Sequence, residues 1–170
     1  MARINGVEIR GLKRFIGTEG YAFQGNIYID GKKQGFWSQD ANGGVTDWFD
    51  FDTELLKSRI PLRIKEDTSL GTAGLNLEVF MDELILLKDD EKQFKKSQKK
   101  GFNIVVALNG PLNAYYFSYR DRFDKKDEEK KIAEIKKQHL HLFECVNSID
   151  QIKHRVFYCL NDFNIEEKTK

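Results

Sequence analysis

Cysteine and proline are scarce in this chain of 170 residues, which has two of each. The two cysteines, Cys145 and Cys159, are too few for a disulfide framework and are typical of a protein from a reducing compartment. Apolar neighbours such as Val146 and Leu160 favour inert thiols in a core, and a disulfide between the two cysteines stays open. The N-terminus lacks the apolar core of a secretory signal, so we expect a cytoplasmic protein.

An excess of one charge is also missing, because 28 lysine and arginine residues balance 27 aspartate and glutamate residues. We therefore expect no global field that draws the protein to nucleic acid or to an anionic membrane. No apolar run approaches the roughly 18 residues that a membrane-spanning helix needs, so we expect no membrane contact.

Motifs for nucleotide binding, acyl transfer and metal binding are absent as well. The chain has no Gly-x-Ser-x-Gly element, and the glycine-containing segment 71–74 is not followed by the Lys-Ser or Lys-Thr of a phosphate loop. His139 and His141 lie close to Glu144 and Cys145, but a strand there would turn Glu144 away from both histidines. We predict neither a metal site nor a cofactor.

The most informative stretch runs from residue 20 to residue 52. Apolar side chains recur there at alternate positions, namely Tyr21, Phe23, Ile27 and Ile29. Alternation of this kind is typical of a strand with one face on a core. The dipeptide Asp30-Gly31 and the tripeptide 42–44 predict hairpin turns, because Gly, Asn and Asp reach positive φ most easily.

These signals predict an α+β fold whose N-terminal part is an antiparallel β-meander. We expect its strands at about 4–16, with a break or bulge near Gly11, and at 21–29, 33–39 and 45–51. A short helix capped by Thr53 should end before Pro61. The flexible segment 71–74 then separates a lobe 1–70 from a lobe 71–170, although the two lobes could also form one compact domain.

The second lobe is predicted to be a mixed α/β half. Its elements are a helix from Leu75 to a C′ residue at Gly101, a strand 102–108 buried on both faces, a strand 115–120, a helix 124–138, a strand 139–146 and a helix after a capping box at Ser148. The polar tail after Ile165 should fray.

Aromatic residues are concentrated in the meander, as Phe36, Trp37, Trp48, Phe49 and Phe51. Neighbouring residues of a strand point to opposite faces, so Phe36 and Trp37 cannot both enter one core. Either the sheet is covered on both sides or one face displays large aromatic side chains, which are common interface anchors. We predict Trp37 and Trp48 as partner-binding anchors.

Secondary contacts are predicted in the second lobe. They comprise two tyrosines that could stack on bases and four lysines of the long helix, namely Tyr115, Tyr116, Lys95, Lys96, Lys99 and Lys100. Because acidic residues are interleaved with the lysines, these segments also fit solvated helix faces with i,i+4 ion pairs. Contact with nucleic acid, direct or through a nucleoprotein partner, stays open.

Carboxylates supply the competing interpretation. Asp47, Asp50 and Asp52 lie close together on the predicted fourth strand, where Asp50 and Asp52 share a parity. Converging acids are what a metal-dependent nuclease or hydrolase needs. Acids on an edge strand also prevent unwanted strand pairing. A metal-dependent hydrolase and a nucleic-acid-binding accessory protein are therefore the alternatives to a binding protein.

The segments 20–33 and 35–44 resemble small uncharacterised proteins carried by phages and integrative mobile elements of bacteria. The resemblance covers about the first third of the chain. It implies an accessory protein of a mobile element that binds and blocks a host defence machine, such as a CRISPR effector. The expected function is thus non-enzymatic inhibition of a host protein or nucleoprotein complex, with a homodimer left open.

Overall fold

A computed structural model of the chain describes residues 1–17, 20–40, 46–66, 73–110, 114–124, 126–143 and 145–169, and of residues 73–75 it describes the backbone. The fold is α+β, as the sequence predicts. The predicted turn at 42–44, residues 71–72 of the predicted joint 71–74 and Glu144 lie outside the described residues, and residues 73–74 of that joint are helical.

The strands and helices follow one another along the described chain. The strands are β1 (Arg3–Ile4), β2 (Val7–Ile16), β3 (Tyr21–Ile29), β4 (Lys32–Gln39), β5 (Asp47–Phe49), β6 (Ile104–Asn109), β7 (Ala114–Tyr119), β8 (Lys153–Phe157) and β9 (Asn164–Ile165). The helices are α1 (Thr53–Arg59), α2 (Leu62–Lys65), α3 (Ala73–Gln98) and α4 (Glu128–His139).

The chain forms two compact units. Unit 1 comprises Met1–Asp89 together with Phe163–Lys170, and unit 2 comprises Asp90–Asp162. The division falls inside α3 and not at the expected boundary between residues 70 and 71. The change of periodicity near residue 75 marks the start of a helix of 26 residues, which continues without interruption from one unit into the other.

Unit 1 contains a six-stranded sheet in the order β5-β4-β3-β2-β1-β9, in which β1 and β9 pair in parallel and the other neighbours are antiparallel. The predicted first strand is in fact two strands, because Asn5 and Gly6 form a two-residue turn with φ of 48° and 77°. The predicted turn at Asp30-Gly31 is confirmed, with φ of 50° and 79°. Asn-Gly is the same hairpin signal and marks the turn that the sequence prediction missed.

The predicted break near Gly11 is confirmed as a bulge. The register between β2 and β3 shifts between Arg10 and Lys13, and Gly11 has a φ of 64°. Gly25 of β3 approaches this bulge so closely that a Cβ there would lie 2.6 Å from Ile9 Cγ2. The bulge thus depends on a glycine in the neighbouring strand as well as on its own.

One face of this sheet carries the core of unit 1. Its fully buried side chains include Val7, Ile9, Ile27, Ile29 and Trp37. Two polar contacts place the first part of α3 over the same face: Arg14 Nη2 lies 2.5 Å from Asp89 Oδ2, and Thr46 Oγ1 donates to Glu78 Oε1 over 3.4 Å. We call this side the core face and the opposite side the outer face.

Unit 2 contains a three-stranded antiparallel sheet in the order β7-β6-β8. On one face, Ile104, Val106 and Leu108 of β6 pack in a cluster with Ile132 and Ile135 of α4. On the other face, two contacts join the end of α3 to the outer strands, namely Asp90 with Arg155 and Ser97 with Ser118. The prediction that this strand is buried on both faces is confirmed.

Two predicted elements of unit 2 are wrong. The expected strand 139–146 is the end of α4 followed by a 3₁₀ turn, Leu140–Leu142. The capping box at Ser148 is present, with Gln151 as its partner, but it begins a single 3₁₀ turn and not a helix. The next residues form β8 because they pair with the open edge of β6, a long-range contact that overrides the local helical pattern.

The C-terminal tail is bound to unit 1 and is not frayed through the described residues. The Glu167 N–H donates to Asn5 Oδ1 over 2.7 Å, and the Leu62 N–H donates to Lys168 O over 2.7 Å. Arg63 joins Glu167 in an ion pair of 2.7 Å. Polar composition predicted fraying, but these polar groups have specific partners in the fold.

Candidate protein-binding surface

Register places side chains of four strands in rows across the outer face of unit 1. One row contains Arg10, Asn26, Phe36 and Phe49, each opposite the next on adjacent strands. The neighbouring row contains Lys13, Gln24, Ser38 and Asp47. An aromatic pair is therefore bordered by polar and charged groups on the same side of the sheet.

The prediction of Trp37 as an exposed anchor is wrong. Its side chain is 1% exposed on the core face, where it lies opposite Gly25 on β3 and Trp48 on β5. Gly25 contributes no side chain to this row, which leaves room for an indole. Trp48 is half-buried and stacks on Phe51 with ring centroids 5.5 Å apart, so it is at most a partial contact residue.

The aromatic pair that faces outward is Phe36 with Phe49. Their ring centroids lie 5.9 Å apart, and Phe49 is 50% exposed. Adjacent aromatic residues of β4 and of β5 face opposite sides of the sheet, as the sequence predicts. The sequence prediction selected the tryptophan of each adjacent pair as the outward residue, whereas the phenylalanine faces outward. A hollow of about 220 Å³ adjoins the two rings and is also lined by Lys33 and Asp50.

The outer face also carries a cation that stacks on an aromatic ring. The Arg10 guanidinium lies 3.9 Å from the centroid of the Tyr28 ring, and its Nε donates to Glu8 Oε1 over 2.8 Å. The hydrogen bond that Arg10 donates to Glu8 raises the pKa of Arg10 above its ordinary value. The ion pair and the ring together fix the orientation of the guanidinium on the outer face.

The end of the β2–β3 hairpin exposes further apolar side chains. Ile16 is 84% exposed, Tyr21 is 55% exposed and Phe15 is 48% exposed. The sequence prediction did not identify this hairpin end. A usable signal was present, because Phe15 and Ile16 are adjacent apolar residues of opposite parity and only one of them can face a single core.

The predicted tyrosine contacts do not form one surface. Tyr115 and Tyr116 are neighbours on β7 and therefore point to opposite faces of the sheet of unit 2. Tyr115 packs edge-on against Phe143, with ring centroids 5.0 Å apart, and belongs to the core on the α4 side. Both tyrosines are half-buried, and their role as contact residues stays a prediction.

The four predicted lysines lie at the end of α3 in unit 2, and all four are exposed: Lys95, Lys96, Lys99 and Lys100. Lys95 forms an ion pair of 2.6 Å with Glu91, as the i,i+4 interpretation expects. Helix α3 ends at Gln98, and Gly101, with a φ of 81°, donates its N–H to Gln98 O over 2.9 Å, which confirms the predicted C′ residue. These lysines are available to a partner, and their role in binding stays a prediction.

The acids of the hydrolase alternative do not share a strand face. β5 ends at Phe49, and Asp50 follows in a bend with a φ of 52°. Asp52 is the N-cap of α1 and accepts the N–H of Glu54 over 2.9 Å, and Asp47 is exposed on the outer face. Asp52 thus has a structural role, and the metal-dependent hydrolase stays an untested alternative.

Metal-binding side chains do not converge among the residues that the structure describes, where no group of three His, Cys, Asp or Glu residues is placed to hold an ion. His139 of the suspected cluster stacks on Phe117, with ring centroids 4.1 Å apart. Both cysteines are free. The prediction of buried thiols is wrong for Cys145, which is exposed, and Cys159 is half-buried.

Within the described ranges, no helix is long and apolar enough to cross a membrane. The chain matches no protein-family model, no curated protein and no solved structure.

Proposed function

We propose that the protein is a non-enzymatic inhibitor, encoded by a mobile element, that binds a host protein or nucleoprotein complex in the host cytoplasm. The observation that carries the proposal is the pair Phe36 and Phe49 on a sheet face that displays partly exposed aromatic rings. These two residues replace Trp37 and Trp48 as the main anchors. The proposed context of a host defence machine rests on the resemblance of segments 20–33 and 35–44 to mobile-element proteins.

The composition of the outer face supports protein recognition. Interfaces combine aromatic side chains at the centre with a polar rim, and a few aromatic or arginine residues supply most of the binding energy. Phe36 and Phe49 form such a centre, and Asn26, Ser38 and Asp47 form the rim. Since a strand presents its side chains on a rigid backbone, binding costs little ordering of the anchors.

The exposed lysines of α3 support a nucleoprotein as one form of the partner. Lys96, Lys99 and Lys100 are exposed near the end of a helix in unit 2. Cations of this kind bind phosphates without reading sequence. If they contact nucleic acid within the partner complex, affinity should fall with rising salt, whereas the contribution of the aromatic pair should not.

The test begins with capture of a binding partner from a lysate of the bacterial host on the immobilised protein, followed by mass spectrometry. The activity of the purified partner is then titrated with the protein. We expect inhibition to be complete near a stoichiometric ratio. A double variant, Phe36→Ser with Phe49→Ser, should lose at least about a hundredfold in affinity, because truncated hot-spot residues each cost roughly 2 kcal/mol or more.

The matched control is Phe102→Ser, which removes a half-buried aromatic side chain of unit 2. It should inhibit like the natural sequence. Circular dichroism melts of the variants establish that the Phe36 and Phe49 substitutions leave the fold intact. Unchanged affinity of a folded double variant would move the binding surface elsewhere, and complete inhibition at a small fraction of a stoichiometric amount would indicate an enzyme.

A further inference from the structure

Among the strands that the structure describes, β2 has an open edge over most of its length. On one side it pairs with β3 from Val7 to Ile16. On the other side its partner β1 reaches it only at Val7, and no other described strand pairs there. Residues 8–16 therefore have no strand neighbour on that side within the described part of the chain.

The ladder identifies which backbone groups point to this edge. The Gly17 N–H donates to Gly20 O over 2.8 Å, so the adjacent pair Ile16 and Tyr21 is a non-hydrogen-bonded pair. By alternation, Phe15 bonds to β3, and the N–H and C=O groups of Arg14 and Ile16 point away from β3. A partner strand would meet these backbone groups.

The charge along this edge of β2 indicates what charge a partner strand should carry. Positions 10–16 contain Arg10, Lys13 and Arg14 and no acid. Arg10 is paired with Glu8 and Arg14 with Asp89, whereas Lys13 is exposed and forms no ion pair with a described residue. Two copies of β2 pairing side by side would bring like charges together, which disfavours a second copy of this chain as the occupant.

We propose that the Lys13–Ile16 edge of β2 binds an extended acidic segment of the partner protein by strand addition. Main-chain hydrogen bonds to Arg14 and Ile16 would supply the pairing. An acidic side chain would lie beside Lys13 on the outer face, and apolar side chains on the opposite face of the added strand would cover Ile16, which is 84% exposed. The inference rests on the proposed function, for which it specifies the kind of partner segment.

The probe is a synthetic eight-residue peptide of alternating valine and glutamate, blocked at both ends, and the control peptide has lysine in place of glutamate. Amide hydrogen exchange of the full ¹⁵N-labelled chain is measured by NMR with each peptide. At tenfold excess over its dissociation constant, the acidic peptide should slow exchange of the Arg14 and Ile16 amides about tenfold. The Phe15 amide, already bonded to β3, should not change.

Two variants separate backbone pairing from side-chain contact. Ile16→Pro removes an outward N–H without removing a hydrogen bond to β3 and should abolish the protection. Ile16→Val keeps the N–H and a β-branched side chain, so it should bind like the natural sequence. Lys13→Glu should weaken the acidic peptide and favour the lysine peptide.

Three results would overturn strand addition: equal binding of both peptides, uniform slowing of amide exchange from Lys13 to Ile16, or no binding of either peptide. Protection of Arg14 and Ile16 in the free protein that rises with protein concentration would also overturn it, because a second copy would then occupy the edge. The assay uses no host partner. If the protein inhibits its partner but does not bind the acidic peptide, only this binding mode is rejected. If it binds the peptide but inhibits no partner, the proposed function is rejected.

Discussion

The two sheets of the molecule differ in how their faces are covered. The sheet of unit 2 has α4 on one face and the end of α3 on the other, so its central strand β6 is buried throughout Ile104 to Leu108. The sheet of unit 1 buries one face and leaves aromatic rings partly exposed on the other. The comparison teaches that in unit 1 the buried core side chains and the partly exposed aromatic rings occupy opposite parities of the same strands.

The largest expected effect tests that separation within unit 1. Trp37→Ala should lower the free energy of unfolding by about 3–5 kcal/mol, because it leaves a cavity in the core. Phe49→Ala, on the other face of the neighbouring strand, should change it by about 0.5 kcal/mol or less. Urea denaturation of both variants measures the difference. Similar losses would mean that the outer face is covered as fully as the core face.

A second prediction tests the covered sheet of unit 2. Arg155 Nη2 lies 2.8 Å from Oδ2 of Asp90, whose side chain is fully buried. Removal of one member of a buried ion pair lowers the free energy of unfolding by about 3–5 kcal/mol. Because the arginine is partly exposed, we expect Arg155→Met to lower it by about 3 kcal/mol, near the lower end of that range. The double variant Asp90→Leu with Arg155→Met should recover much of the loss. A double variant as unstable as the sum of the two singles would show that the two residues act independently.

The smallest expected effect is a pH dependence in unit 2. Burial and the nearby Lys136 lower the pKa of His154 below its usual 6.5, although Glu128 and Glu129 oppose the shift. Below pH 6.5 the unfolded chain therefore takes up a proton before the folded protein does, and stability falls as the pH drops toward the folded pKa. His154→Gln should show a flatter decline of melting temperature between pH 7.5 and pH 5. An unchanged slope would assign the decline to other groups.

Local signals in the sequence predicted much of unit 1. Asp30-Gly31 specified its hairpin, and the alternation of Ile27 with Ile29 specified a core face. The parity argument also established that Phe36 and Trp37 diverge. It could not assign the inner side, because that choice depends on Gly25 of the neighbouring strand and on the helix that covers the face. Side-chain size alone suggested Trp37 as the anchor, and packing decided otherwise.

Unit 2 was harder to predict because long-range pairing overrides its local patterns. The capping box at Ser148 is correct as a local structure, yet the chain behind it becomes β8 at the edge of β6. The adjacent strand edge is invisible in a window of ten residues. The same reason explains why β9 was missed, since it pairs with β1 at the opposite end of the chain.

The parallel pairing of β9 with β1 has a consequence for synthesis. Ile4 pairs with Ile165, and the fully buried Phe163 directly precedes β9. During translation, every residue of unit 2 leaves the ribosome before this last strand does. The sheet of unit 1 can therefore be completed only after β9 has been synthesised, whereas unit 2 has its whole sequence available earlier and is free to fold first.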